Sequence, residues 1–424
     1  MAHPEFANPA EVFEALGLGA EFEPWKASWA SSQATYPARR EIPWLTEAWV
    51  AEACAALKMP ADAAEAFQLG RAWLAQHPAA RRLAWHGHDL LFHAPADTLQ
   101  ASGRWGVLPE SLGDGARMFQ GLVLLSGHRI VRQRHAARGI PETITLDTLS
   151  DLELWTREYK RQTGHWGCRQ FGWLRHHFTC DLFKLGRLQF NFHPCRFHVH
   201  VLRHTPTGRV VALAEDGQRF RADGQYWNAD RTEAEDFWTS RFECDGRFIR
   251  GNRIDPAGFA VREPVELPVD EYRKEFGWGD HALGIHIAAS GPMDHAACGD
   301  SMRQACDFFP RHFPEYRVRG FCCSSWLLDA QFEAHLAPES NIVRFLREYY
   351  LLPLPGANDE QHFERVFDGP VTDPDRAPQN SSLQKAMIRH VKQGGRWRGM
   401  GCFYLPEDLN WGQQVYRRGA GTNK

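Results

Sequence analysis

Apolar residues recur at intervals of three and four through most of the first 140 positions, the spacing that gives an α-helix one buried face. Residues 46–57 open with Thr46 as an N-cap and Glu47 in the first turn, and residues 62–74 repeat Ala around Phe67 at helical spacing. Residues 79–92 set Leu83, Leu90 and Leu91 on a stripe interrupted by His86 and His88. A further helix is predicted from Ala116 through Leu122, Leu125 and Ile130. Arg129, Arg132, Arg134 and Arg138 crowd its end, where cations complement the helix dipole. Gly139-Ile140-Pro141 is a stop signal, and it sets the expected boundary between a helical N-terminal domain, 1–141, and a second domain with a C-terminal extension, 142–424. Asp147 or Ser150 then caps a helix through Leu152, Trp155 and Tyr159, and one more helix ends near Lys184.

Beyond Lys184 the period changes to two. Leu188, Phe190 and Phe192, then Phe197, Val199 and Val201, then Val210, Val211 and Leu213 alternate with polar neighbours. Thr205-Pro206-Thr207-Gly208 reads as a tight turn between the second and third runs, so an antiparallel meander is expected. Short strand-like pieces follow over 219–268. Two strand-loop-helix units come next. The first is a strand over 282–287, a small-residue loop over 288–292 and a helix over 294–311 with Cys298, Met302, Ala305 and Phe309 on one face. The second is a strand over 317–323, a Ser324 or Ser325 cap and a helix over 326–336. The tail adds a strand-like run 342–352, an Asp- and Pro-rich polar stretch 359–380, a helix 382–392 and a strand 399–405. The fold class is therefore α/β in the broad sense, a mixed sheet flanked by helices behind a helical domain.

Composition narrows the function classes. Of 424 residues 43% are hydrophobic and 24% charged, an ordinary globular balance. Lys and Arg total 49 against 52 Asp and Glu, a net charge of -3, which argues against a nucleic-acid binder. The longest strongly apolar run, 121–126, is far short of the about 20 residues that span a bilayer, so no membrane partner is expected. The first ten residues lack a basic segment followed by an apolar stretch, and the expected compartment is the cytoplasm. The ten Cys show no Cys-x-x-Cys, so neither a disulfide framework nor a thiolate zinc site is indicated. Nothing in the sequence specifies the oligomeric state.

Candidate chemistry centres on the first strand-loop-helix unit. Ala282, Gly284, His286 and Ala288 share one strand face, nearly bare except for His286. That strand opens onto a loop and a helix N-terminus, whose exposed N–H groups suit a phosphate, and Ser290 and Gly291 would let a ligand approach the backbone. In the second unit Cys323, Ser324 and Ser325 stand at a strand end before Asp329. A nucleophile there with His286 as base and Asp329 as orienter is conceivable, although Gly-x-Ser-x-Gly is absent. His193, His198, His200 and His204 lie within a dozen residues, with His204 or Cys195 able to complete a metal site. Arg396-Trp397-Arg398-Gly399-Met400-Gly401 spells a phosphate-cradling Arg-x-x-Gly-x-Gly, but it follows a helix and opens a strand, the reverse of the order that motif needs.

The segments Gly279-Asp280-His281-Ala282-Leu283-Gly284-Ile285-His286-Ile287, Ser290-Gly291-Pro292, Cys323-Ser324-Ser325-Trp326-Leu327-Leu328-Asp329 and Ser340-Asn341-Ile342-Val343-Arg344-Phe345 resemble a bacterial group of two-domain acyltransferase-like proteins. These have a helical N-terminal domain and a GNAT-like C-terminal domain. Leu185-Gly186-Arg187-Leu188-Gln189-Phe190 and the Trp85 to Phe92 helix are also similar to that group. The resemblance implies transfer of an acyl group from acyl-CoA to an amine of a small molecule or peptide. It implies a strand that splays from its neighbour, with CoA held at Ile287, Ala288, Ser290 and Gly291, His286 as base, and Cys323 or Ser324 protonating the departing thiolate. Ser290-Gly291-Pro292 stands where the group's standard phosphate motif would be, and Pro292 has no N–H to offer. The competing readings are a non-catalytic GNAT-like binding protein and a zinc enzyme built on the histidine strand.

Overall fold

The computed structural model describes residues 6, 8–37, 41–101, 105–227, 236–289 and 291–418. The chain divides into two units, one through Leu185 and one from Gly186 onward. The expected boundary at Pro141 falls earlier because helices Glu142–Leu149, Asp151–Thr163 and Phe171–Phe178 send Leu149, Leu152, Phe171, Leu174 and Phe178 into the same core as Phe67, Leu83 and Leu122.

In the N-terminal unit, Thr46 caps helix Glu47–Ala56 by accepting the Trp49 N–H at 3.2 Å, and Pro78 opens helix Pro78–Phe92 at a position where its missing N–H costs nothing. That second helix is buried on almost every side. Its Arg82 is fully buried against the Trp29 ring, 3.9 Å away, and donates to Gln33 and Ser32. Burial drives the His86 and His88 imidazoles down to about 3 and His135 to about 4, so all three are neutral in the fold. The single helix expected over 116–130 is interrupted: Asp114–Met118 is a 3₁₀ turn, and Gly127 separates helices Phe119–Leu125 and His128–Ala137. A Cβ at Gly127 would fall 1.9 Å from the Phe92 ring, so the break is where that aromatic packs. Residues up to Lys184, expected to end a helix, instead form strand Leu182–Leu185 after Phe171–Phe178.

The C-terminal unit carries two sheets. In the first, strands stand in the order Leu188–Pro194, His281–Ile287, Gly320–Ser325, Met400–Tyr404, Tyr350–Leu352. In the second the order is Tyr272–Gly277, Val199–His204, Val210–Ala214, Phe248–Asp255, Phe242–Cys244, with Phe259–Pro268 also paired to Phe248–Asp255. The expected meander is thus split. Its first strand joins one sheet and its other two form a hairpin in the other, closed by the turn at 205–208. Helix His295–His312 buries Cys298, Met302, Ala305 and Phe309. The helix expected over 326–336 is a 3₁₀ turn, Trp326–Leu328, and a short helix, Phe332–His335. The strand-like run 342–352 resolves into helix Asn341–Arg347, capped by Ser340, and strand Tyr350–Leu352. Helix Ser382–Lys392 begins with a reciprocal Ser381–Gln384 capping box. No helix among the described residues is long and apolar enough to cross a membrane.

Candidate functional site

His281–Ile287 lies inside the first sheet. On one side it pairs antiparallel with Leu188–Pro194 along its whole length, from His281↔Pro194 to Ile287↔Leu188. On the other it pairs parallel with Gly320–Ser325 at Ala282↔Gly320, Leu283↔Phe321 and Gly284↔Cys322, and the ladder goes no further. Both strands continue past that rung, and Ser325 still pairs with Met400 on its far side. Each strand follows its outer neighbour, so the two part like the arms of a V. Alternation sets His286 and Ser324 on the face shared by Gly284 and Cys322, and sets Ile285 and Cys323 on the opposite face. His286 and Ser324 are therefore brought to one face of the opening. Cys323 turns the other way, 6% exposed, and is paired across the ladder with Cys402. Burial holds the Cys402 thiol, hydrogen-bonded to Cys323, well above the usual thiol range.

His286 is half-buried, with Nε2 2.8 Å from the Asn191 side-chain oxygen. A carbonyl oxygen only accepts, so Nε2–H donates and the neutral imidazole carries its lone pair on Nδ1. Asn191 is the ladder partner of Gly284, and a Cβ on residue 284 would fall 2.3 Å from that same oxygen. Glycine at 284 is what admits Asn191 beneath His286.

After the strand, the loop is shaped by Arg187. Its guanidinium donates to the carbonyl oxygens of Ala288 at 2.9 Å, Pro292 at 2.9 Å and Gly291 at 3.1 Å. Carbonyl partners stabilise this cation without neutralising it, and burial lowers its pKa from the usual arginine value. The Arg187 and Leu188 N–H groups both donate to Ser301 Oγ on helix His295–His312, fixing that helix against the strand. Gly291 has φ +84° and open space where a Cβ would stand. Ile287 is half-buried and Ala288 buried, while Ser290 lies outside the described residues. The helix N-terminus is not bare as expected. Asp294 caps it, its carboxylate accepting the Ala297 N–H at 2.8 Å.

The other candidates have separate structural roles. Asp329 accepts from the Arg398 and Gln331 N–H groups and lies 3.4 Å from His362, so it does not orient His286. Ser325, rather than Ser324, caps the 3₁₀ turn, accepting from Leu327 N–H. His198 pairs with Glu215 and stacks on Trp278, His200 stacks on Phe242, and His204 contacts Thr207 and Glu271. No group of three or more His, Cys, Asp or Glu among the described residues could hold a metal ion. Residues 396–399 are loop leading into strand Met400–Tyr404, the context expected for the Arg-x-x-Gly-x-Gly run.

Sequence reasoning missed Asn191, Arg187 and Asp294. The signals were an Asn inside an otherwise aromatic strand, an Arg at its entrance, and an Asp directly before a helix.

Residues 182–404 match the GNAT-like C-terminal domain, and residues 49–180 match the N-acyltransferase N-terminal domain. The first match alone spans more than half of the sequence, and the chain belongs to the GNAT-like C-terminal domain family. Solved structures with the same fold include an acyltransferase in complex with decanoyl-CoA and teicoplanin, at TM-score 0.65. An acyltransferase variant in complex with octanoyl-CoA is similar to the same degree, with TM-score 0.65. Both are 24% identical, over 94% of this chain and 99% of theirs. No curated protein matches the chain.

Proposed function

We propose that the protein transfers an acyl group from acyl-CoA directly to an amine of a small-molecule or peptide acceptor. One observation carries the reading: the parallel ladder ends at Gly284–Cys322 while both strands run on, opening a slot in mid-sheet with a tautomer-fixed imidazole on its lip. The similar structures hold octanoyl-CoA in one case and decanoyl-CoA with teicoplanin in another.

In this reading Nδ1 of His286 takes the proton from the ammonium nucleophile. The amine attacks the thioester carbonyl, the C–N bond forms and the C–S bond breaks. The departing thiolate takes the second proton, which the nitrogen gives up as the amide forms, relayed through Ser324, which shares the His286 face, or through Cys323 on the other side of the slot, and the proton on His286 passes to solvent. Ile287, Ala288, Ser290 and Gly291 would hold CoA. The Arg187 charge attracts its phosphates while Asp294 takes up a helix N–H that the standard arrangement leaves for them. Proton transfer, positioning and charge are thereby supplied by this chain's own groups. The cytoplasm fits as the compartment, since none of the ten cysteines is in a disulfide.

A thermal-shift titration tests the reading. CoA at about 100 times its dissociation constant adds about 2.7 kcal/mol of stability. A shift with CoA that weakens in Ala289→Glu, which sets a carboxylate on the exposed loop, supports acyl-CoA binding. No shift at millimolar CoA or acetyl-CoA would sink it.

A further inference from the structure

Where the 205–208 turn of the second sheet meets the Tyr350–Leu352 edge of the first, the C-terminal unit holds a cavity of about 650 Å³. Three arginines line it, Arg209, Arg253 and Arg418, against one acid, Asp408. That acid is already committed. Its carboxylate accepts from Arg203 at 2.8 and 3.1 Å and from the Tyr416 hydroxyl at 2.9 Å. The three arginines are not. Among the described residues no acid pairs with Arg209, Arg253 has only Asp255 at 3.8 Å, beyond hydrogen-bond reach, and Arg418 donates to the neutral Gln413 side chain. Glu271, which does not line the cavity, is held by His204 at 3.2 Å. The cavity is separate from the slot. Tyr404, which leads into Asp408, pairs with Phe321 near the start of Gly320–Ser325, whereas the slot opens at the other end of that strand. Tyr350 stands a further strand away, beyond Met400–Tyr404, and so ~10 Å from Gly320–Ser325 across the sheet.

We propose that this cavity is a second ligand site, which takes a small phosphate monoester carried on a planar ring; the assignment is independent of the acyl-CoA reading above. Charge selects the anion. A guanidinium that no carboxylate of the fold neutralises is open to an oxyanion, and its planar fork meets carboxylate or phosphate oxygens two at a time. Three such groups exceed the single charge of a carboxylate and suit a phosphate monoester, which carries about -1.5 to -2 at pH 7. The floor selects the ring. Tyr350 is buried, and its hydroxyl is spent on the backbone, donating to the Ile254 carbonyl at 2.5 Å and accepting the Ala212 N–H at 3.2 Å. The Tyr416 hydroxyl likewise donates to Asp408 and accepts the Leu405 N–H at 2.9 Å. What these residues leave for a ligand is therefore aromatic carbon, and Tyr272, Pro256 and Val415 extend that apolar lining. The volume falls within the ~300–1,000 Å³ of small-molecule sites.

The test is isothermal titration of the full chain with phenyl phosphate, benzoate and inorganic phosphate at low salt. Phenyl phosphate should bind at least about tenfold more tightly than benzoate, which carries one charge, and than inorganic phosphate, which lacks the ring. Arg209→Ala and, separately, Arg253→Ala should each weaken phenyl phosphate by at least about tenfold. Arg209 has no acid partner in the fold to lose, so the urea midpoint of Arg209→Ala should match that of the native chain, and lost binding there reads the site alone. Ala289→Glu, on the loop beside the slot, should leave phenyl phosphate affinity within about twofold. Benzoate or inorganic phosphate binding as tightly as phenyl phosphate would overturn the ligand class. The second site itself would be overturned by no binding of phenyl phosphate at millimolar concentration, by affinity unmoved in both arginine variants, or by affinity lost in Ala289→Glu.

Discussion

Asn191 and His286 meet diagonally across the antiparallel ladder, and their 2.8 Å hydrogen bond decides which imidazole nitrogen keeps its lone pair. Under the transferase reading, His286→Ala removes the base and should lower turnover by about 100- to 10,000-fold with little change in acyl-CoA affinity. Asn191→Asp sets a carboxylate against the imidazole. An opposite charge favours the protonated form, so the base is released only at higher pH and the rising limb of the rate-against-pH profile moves upward. Steady-state rates across pH 6 to 9 for the two variants check both statements. An unmoved limb in Asn191→Asp would show that His286 does not titrate in the rate.

Gly284→Ala attacks the same contact by crowding. Its Cβ would stand 2.3 Å from the Asn191 oxygen, in the middle of a buried strand. Overpacking of this kind costs about 1–3 kcal/mol. Urea unfolding should show that loss, and turnover should fall along with it because the imidazole is displaced.

Asp294→Asn separates the two roles of the cap. The amide oxygen still accepts from Ala297, so stability should hold within about 0.5 kcal/mol, whereas Asp294→Ala should cost about 1 kcal/mol. Removing the negative charge should tighten CoA binding severalfold at low salt, an effect that fades as ionic strength rises. Titrations at two salt concentrations read both.

The N-terminal unit should be acid-sensitive. His86, His88 and His135 have folded values of about 3, 3 and 4 against an unfolded value near 6.5. Their lowered values mean the unfolded chain binds more protons below pH 6.5. Stability is thus full above that pH and is lost as pH falls toward 4, by up to ~1.4 kcal/mol per pH unit for each histidine. Urea midpoints at pH 7, 6 and 5, followed by tryptophan fluorescence, should decline in step.

Arg203 makes a buried junction in the C-terminal unit, with Glu275 at 2.9 Å, Asp408 at 2.8 Å and Glu407 at 2.9 Å. Arg203→Ala takes one of two arginine partners from Glu275, 8% exposed, which keeps Arg273 at 2.6 Å, and should cost about 1–3 kcal/mol in unfolding experiments.

Much of this arrangement was legible in the sequence, for local reasons. The 282–287 run, the Asp294 helix, the 205–208 turn and the Ser381 helix all announce themselves through period, cap or turn residues. Where the reading failed, the deciding partner was far away in the chain. Alternation identifies Leu188–Pro194 as a strand but not that its neighbour is His281–Ile287, so the split of the meander between sheets was invisible. Ile342 and Val343 look like strand residues, yet Ser340 caps them into a helix. The turn at Trp326 ends early because the buried Asp329 carboxylate takes the N–H groups of Gln331 and the distant Arg398. His286 could be picked from its bare strand face, but Asn191 depends on a register that only pairing reveals.

The three Arg187 hydrogen bonds and the Asp294 cap have a kinetic consequence. The Ala288, Gly291 and Pro292 carbonyls and the start of the following helix are held by the chain's own groups, so a ligand arriving there has less backbone left to order. Capture at this end of the slot should proceed in a single fast phase whose rate rises linearly with ligand concentration.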